Sequence, residues 1–583
     1  MVNKRQISLI RNLITVGTIL LFASFLWIKD MGVYFETNDD RIIAEILSGV
    51  HSLTQDPHTI HENYLLMLPL SLLYKITSGV SWYGWSLLLC HATAWFVTES
   101  SFLSRCKNWK DYLAVLIGLS GLFLGSLELI GRIQFTSTAV ILAISGYIAL
   151  YLEENRKKGY VLFFVTELLA FCVRYKAMLM IQPLGGIVWL GLALVQLGKT
   201  GWSRERLLEK GKEAGRLLLI WAAIFLLGGF GNIIGYHSED WKDFLKFSET
   251  RAQLFDYHGA PNYEDVKDIL DRYDVTENVY DGFCNYNILD WEVSTDCIEE
   301  LVEFQKQKAG QKITLGEAFR SSFEGMNSDG MQKINKTCVT MWVILTIWMI
   351  FKRQFTMLYP LLGILSVRTA LWMYLIYQGR LPARVSYPLF TGEALLLFSV
   401  FWYFYTEESE KRKHLVTVAG GIVCLIVLLT GTDAGRAQYR YVKPENEGQK
   451  VYMEGMKEVL DYCNGNAEKK FLLDGFSFNY YKGSALETES YGPRNAVSFG
   501  TWFSNSPSAI EKWKNYFTED DAAIYVIVYE DGNMENYPAI RMMSEQMQCP
   551  AVLDDRIDVS TGITYLVSVS YTHLRAHETG AYL

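Results

Sequence analysis

Residues 7–28, ISLIRNLITVGTILLFASFLWI, and then Phe35-Glu36-Thr37-Asn38-Asp39-Asp40-Arg41 decide how this chain folds. The first run is long enough to cross a bilayer. It is too long for a signal peptide and lacks a small-residue cleavage site, so it reads as a retained membrane helix. Asp39 and Asp40 stand at its mouth, ahead of a short amphipathic segment, Ile42 to Val50, that stops at Gly49. Asn38 suits a helix start, where Asp39 and Asp40 would meet the positive end of the helix dipole. A carboxylate so placed is equally suited to take a proton or hold a cation at a membrane surface.

The composition agrees with a membrane class. Half of the 583 residues are hydrophobic, 14% are aromatic and only 20% are charged, less charge than a soluble chain of this size carries. Candidate spans run at about 7–28, 82–104, 111–130, 134–152, 159–175, 177–197, 217–236, 337–351, 355–378, 385–405 and 414–432. Basic residues orient them. Lys4, Arg5 and Arg11 precede or open the first span, Arg105, Lys107 and Lys110 follow the second, and Arg156, Lys157 and Lys158 follow the fourth. Arg204, Arg206, Lys210, Lys212 and Arg216, then Lys352 and Arg353, then Lys411, Arg412 and Lys413 continue the pattern. Every second loop is basic, as a cytoplasmic N-terminus requires.

The expected fold class is therefore an α-helical polytopic membrane protein of about eleven spans, N-terminus in and C-terminus out. Residues 1–236 form the N-terminal membrane helices with an outer loop at 30–81, and 337–432 form the second set. Residues 237–336 form an acidic extracytoplasmic cap. Trp241, Phe244, Phe247, Phe255, Tyr257 and Tyr263 recur there at near-helical spacing. Residues 433–569 form a small extracytoplasmic α/β domain, with a helical pattern over 451–463 and strands at 470–474, 523–529 and 563–569. Residues 570–583 resemble the translation of a sequencing-adaptor remnant and are expected to be a non-native tail. Tyr64 to Tyr74 is apolar, too short to span and interrupted by Pro69, which suits the interface, and Trp82 and Trp85 mark the outer start of the second span.

Several charges fall where a membrane protein avoids them. Glu128 with Arg132, Arg174 with Lys176, and Arg380 with Arg384 occupy short outer turns, and Arg368 lies inside a span. Each alone suits snorkelling to headgroups or pairing with the acidic cap. As a group they suit an anionic ligand, because guanidinium groups hold phosphate oxygens through paired hydrogen bonds. His58, His61 and Glu62 have ligand-like spacing, but two histidines and one carboxylate fall short of a metal site, and a surface or structural role fits them better. No residue is assigned to a metal. Cys284 with Cys297 and Cys463 with Cys549 lie in polar segments where disulfides could form outside the cell. The chain lacks a P-loop, a dinucleotide fingerprint, a nucleophile elbow and a zincin motif. Its net charge of −9 argues against nucleic acid as a partner.

A first span leading to an outer loop with an acidic pair, a short helix and an interfacial helix resembles the GT-C superfamily of membrane glycosyltransferases. The likeness covers the layout of nearly the whole chain, and its local motif is Asn38-Asp39-Asp40. Gln134-Phe-Thr-Ser-Thr138 and Gly379-Arg-Leu-Pro-Ala-Arg384 are also similar to segments of bacterial membrane proteins of this layout, which bring no activity with them. The superfamily resemblance implies a sugar donor on polyprenyl phosphate, inversion at the anomeric carbon, and an envelope glycan, lipid-linked sugar or protein as acceptor. It implies Asp40, slightly ahead of Asp39, as base or metal ligand, with a divalent cation left open as cofactor. Arg132, Arg174, Lys176, Arg380 and Arg384 would hold the phosphate. The rivals are a transporter or flippase of lipid-linked sugars, which needs charge at mid-membrane, and a non-catalytic envelope-assembly protein.

Overall fold

The computed structural model describes residues 4–571 apart from 286, 288–292, 309–312, 328–332, 380, 408–413, 479, 488–494, 517–522 and 532–536. The chain is mostly helical. It opens with α1 (Lys4–Ile28), the two-residue strand β1 (Tyr34–Phe35), α2 (Asn38–Ser48), α3 (Tyr64–Ile76), α4 (Trp82–Ser104) and α5 (Trp109–Leu124). The single turn α6 (Glu128–Gly131) and β2 (Arg132–Ile133) lead to α7 (Phe135–Leu152), α8 (Arg156–Thr200) and α9 (Arg204–Gly235). A layer of shorter helices follows: α10 (Glu239–Ala252) with a π-helical turn (Gln253–His258), α11 (Tyr263–Asp271), α12 (Glu277–Cys284), α13 (Thr295–Lys308) and α14 (Leu315–Asn327). Long helices then resume as α15 (Ile334–Lys352), α16 (Leu358–Tyr377), α17 (Ala383–Glu407) and α18 (His414–Gly465).

Among the described residues, eight helices are long and apolar enough to cross a membrane: α1, α7, α8, α9, α15, α16, α17 and α18. This is an integral, multi-pass pattern with fewer such helices than the eleven runs expected. Two of those runs are the arms of α8, which breaks at Arg174, where the backbone is extended (φ −162°, ψ 93°). Two more form α4 and α5. The 16 residues of α5 extend about 24 Å, short of the roughly 30 Å hydrocarbon core. Two glycines let α5 approach α18 closely, since a Cβ on Gly431 would lie 1.9 Å from the Gly121 carbonyl oxygen. α18 runs unbroken through position 433, so the last apolar helix and the first helix of the C-terminal unit are one element.

The C-terminal unit adds β3 (Phe471–Asp474), β4 (Ala496–Phe499), α19 (Pro507–Tyr516), β5 (Ala523–Tyr529), α20 (Pro538–Met547), β6 (Val552–Asp558) and β7 (Thr564–Tyr571). The sheet order is β4-β3-β5-β7-β6. β4, β3 and β5 are mutually parallel, and β7 is antiparallel to both β5 and β6. β7 takes in Ser570 and Tyr571, and the rest of the expected tail lies outside the described residues. All nine cysteines are free thiols, so neither Cys284–Cys297 nor Cys463–Cys549 is bonded.

Three distant parts of the chain are laced together just before α2. β1 pairs with β2, Tyr34 to Arg132 and Phe35 to Ile133, and the amide of Phe35 donates to the Gly483 carbonyl at 3.1 Å. The amide of Ala485 donates back to Val33 at 2.9 Å, and Lys512 Nζ donates to the carbonyl of Val50. The acid pair is thus held between the turn ahead of α7 and the C-terminal unit.

Candidate active site

α2 starts one residue earlier than its sequence suggests: Thr37, in extended conformation, is the N-cap and Asn38 is already helical. Asp39 and Asp40 fill the first turn, and Gly49 closes the helix in the left-handed region (φ 91°) that glycine tolerates. Successive positions on a helix face different ways, so the two aspartates have different surroundings.

Asp40 points inward and is 0% exposed. Its Oδ1 accepts from the Tyr83 hydroxyl at 3.0 Å and the Phe135 amide at 3.2 Å, and its Oδ2 accepts from Thr37 Oγ1 at 2.9 Å. The Phe135 amide is the first of α7, so Asp40 joins α2 to a helix N-terminus and to α4. The Tyr83 hydroxyl also lies 3.1 Å from Glu62 Oε1. Burial pushes the proton affinity of Asp40 well above the usual carboxylate range and raises the pKa of Glu62 to about 7.

Asp39 is half-buried on the other side of the turn. Burial raises its pKa, and the charges of Arg384, Arg174 and Arg251 oppose that rise. Glu36, one turn back, is also raised by burial, against Arg132, Arg384 and Lys482. Arg384, in the first turn of α17, therefore acts on both carboxyls. Arg174, at the break in α8, donates from Nη1 to the His61 carbonyl at 3.1 Å and lies 5.0 Å from the centre of the Phe135 ring. Burial, then the cations Arg174, Arg251, Lys176 and Arg384, push the pKa of His61 well below its ordinary value.

A cavity of about 1000 Å³ opens beside this group, walled by His61, Arg174 and Lys176 with Glu249, Asp256 and Lys306 from the layer of shorter helices. Asp256 and Arg174 are also among the charges acting on Asp39. The expected cations divide accordingly. Arg174 and Lys176 line the cavity, and Arg384 is among the charges acting on Asp39. Arg132 is turned to α18, where Nη1 donates to the Tyr441 hydroxyl at 2.8 Å. Arg380 lies outside the described residues.

His58, His61 and Glu62 do not converge. His58 bonds Asp56 at 2.5 Å and stacks on Trp241 at 4.2 Å, His61 stacks on Phe135 at 5.7 Å, and Glu62 faces Tyr83. Among the described residues no three His, Cys, Asp or Glu side chains assemble as a metal would require. The donors for the divalent cation left open above are thus not gathered here. Arg368, the charge inside a span, is paired: its Nε lies 3.1 Å from Glu393 Oε2, and Trp342 Nε1 donates to Oε1 at 2.8 Å.

The sequence reading missed Glu36, Tyr83 and Arg251, and gave His61 and Glu62 a surface or structural role. Glu36 was findable, three residues before Asp39 in the quoted stretch. Nothing in the sequence marks Tyr83 or Arg251, which reach the group only through packing.

No family model matches the chain. No curated protein matches it. Among solved structures it is similar to the crystal structure of ArnT from Cupriavidus metallidurans in the apo state, over 96% of this chain and 99% of that one. The identity is 12% and the TM-score 0.34, a likeness that carries no functional inference by itself.

Proposed function

We propose that this chain is a GT-C-type glycosyltransferase that moves a sugar from a polyprenyl-phosphate donor to an envelope acceptor at the outer face of the cell membrane. The single observation that carries this reading is Asp39: a half-buried carboxyl of raised proton affinity within reach of Arg174, Arg251 and Arg384, beside a large polar cavity. A general base needs a carboxylate that holds a proton without surrendering all access, and a departing phosphate needs fixed positive charge. The acceptor oxygen would attack the anomeric carbon as the bond from that carbon to the phosphate oxygen breaks. The phosphate would leave with the electron pair, and the acceptor's proton would pass to Asp39. Arg174, Lys176 and Arg384 would offset the phosphate charge, and Arg132 falls to a supporting place because its partners are Tyr441 and Glu36.

This reading puts Asp39 ahead of Asp40. Asp40 is fully buried with three donors on its oxygens, which suits it to position the turn rather than to meet a substrate. The Arg368–Glu393 pair weighs against a transporter, since each charge neutralises the other. Asp39→Asn and Asp40→Asn, each expressed in a strain lacking the native gene, separate the roles. Asp39→Asn should keep its melting temperature and lose at least about 100-fold in transfer, the scale of a missing general base. Asp40→Asn should lower the melting temperature first. A folded Asp39→Asn protein that leaves surface glycans unchanged overturns the proposal.

A further inference from the structure

The C-terminal unit holds a second concavity, of about 250 Å³, at the place where open α/β sheets form ligand crevices. Its parallel strands lie in the order β4-β3-β5, so the chain reverses direction across the sheet between β3 and β5. The gap outside the carboxyl ends of strands at such a reversal is a general ligand position. Here β3 ends at Asp474 and β5 at Tyr529. Ser477, just past β3, donates from Oγ to Asp474 and accepts from the Tyr529 amide at 2.9 Å, which ties the two strand ends together. Ser477 and Tyr529 both line the concavity.

The remaining walls are mostly rings: Tyr452, Phe478, Tyr480, Tyr481 and Tyr565. Phe478 stacks on Tyr565 at 5.0 Å and 10°, and Tyr529 meets Tyr565 edge-on at 6.2 Å. Among the described residues no charged side chain lines the space, which disfavours a phosphate or carboxylate ligand. Met456 and Ile563 are the only aliphatic contributors among the described residues, too little surface for a lipid tail. Tyrosine presents a flat apolar face and a hydroxyl rim. A sugar ring is the matching shape, with an apolar C–H face and a border of hydroxyls. Tyr481, only 3% exposed, lines the crevice beside these rings. The volume is below the roughly 300 Å³ at which drug-sized pockets begin, so the space suits one sugar residue.

We infer that this tyrosine-walled crevice binds a single neutral sugar unit of a glycan, at a site separate from Asp39 and its cavity. Arg41, next to Asp40, reaches the crevice wall: it donates from Nε to the Tyr481 carbonyl at 3.1 Å and lies 5.1 Å from the Tyr481 ring centre. The inference does not depend on the transfer reaction.

Saturation-transfer NMR tests it on the full chain in an amine-oxide detergent, which carries no sugar of its own. The probes are the methyl glycosides of glucose, galactose, mannose and N-acetylglucosamine. At least one should bind saturably. Tyr480→Ala and Tyr529→Ala, at positions 63% and 38% exposed, should each weaken it at least about tenfold, the cost of truncating an aromatic anchor. Tyr529→Phe, which removes only the hydroxyl, should weaken it as well and covers the case in which an alanine variant fails to fold. Loss of transfer in Asp39→Asn with glycoside binding kept would support both sites as distinct. Absence of saturable binding by all four glycosides, or binding that Asp39→Asn abolishes and the tyrosine variants leave intact, overturns the inference.

Discussion

Glu62 should make the folded protein lose stability as pH rises through neutrality, and Glu62→Gln should remove its share of that loss. The Tyr83 hydroxyl lies 3.1 Å from Glu62 Oε1 and 3.0 Å from Asp40 Oδ1. A phenol has one proton, so both contacts are hydrogen bonds only while a carboxyl contributes a second. Burial raises the pKa of Glu62 from an ordinary 4.5 to about 7. The folded chain therefore holds this proton more tightly than the unfolded chain does. The stabilisation is fully present below about pH 4.5 and is lost as pH climbs through about 7. Over that interval it amounts to about 3 kcal/mol, at roughly 1.4 kcal/mol for each tenfold change in proton affinity. Glutamine keeps the shape, is neutral at every pH and binds no titrating proton. Glu36 and Asp39 share the sign and contribute in both proteins. The part of Asp40's rise that comes from the Glu62 charge is lost with that charge, so the difference between wild type and variant reads Glu62 together with its coupling to Asp40. Denaturant unfolding in detergent, followed by tryptophan fluorescence from about pH 4.5 to 8, measures it. Wild type should lose about 3 kcal/mol relative to Glu62→Gln across that range. Parallel pH profiles for the two proteins would refute the reasoning.

Two further outcomes follow from packing. Glu393→Leu should cost about 3–5 kcal/mol because it leaves Arg368 buried without its carboxylate; the double variant Arg368→Met/Glu393→Leu should recover most of it, and the thermal melts of the three proteins decide. Gly431→Ala should destabilise by about 1–3 kcal/mol, since the new methyl would press on the Gly121 carbonyl. Gly421→Ala, on the same helix with nothing within 4 Å of the added carbon, should melt at or above the wild-type temperature.

The membrane class was legible because it rests on local chemistry. A helix that crosses a bilayer must satisfy its own backbone and show apolar side chains, and both demands are met by consecutive residues. The same holds for Gly49 ending α2 and for the strands at β3, β5 and β7, whose apolar runs carry their own signal. The acid pair was visible for the same reason. Which aspartate the cations act on was not, because one residue of helix phase separates Asp40, locked against Tyr83 and Phe135, from Asp39, on which the charges of Arg384 and Arg174 act. The grouping of cations was equally hidden. Arg132 and Arg174 look alike in sequence, yet one bonds Tyr441 on α18 and the other caps the turn at His61.

By itself, then, the order of residues determined that this chain builds apolar helices and that carboxylates and arginines gather near their ends. Tertiary structure alone decided which charges meet. The pairing of Arg368 with Glu393, the lowered pKa of His61 and the ring-walled crevice at Tyr529 all depend on side chains from separate elements arriving at one place. Such encounters follow from packing and burial, which no local pattern of residues encodes.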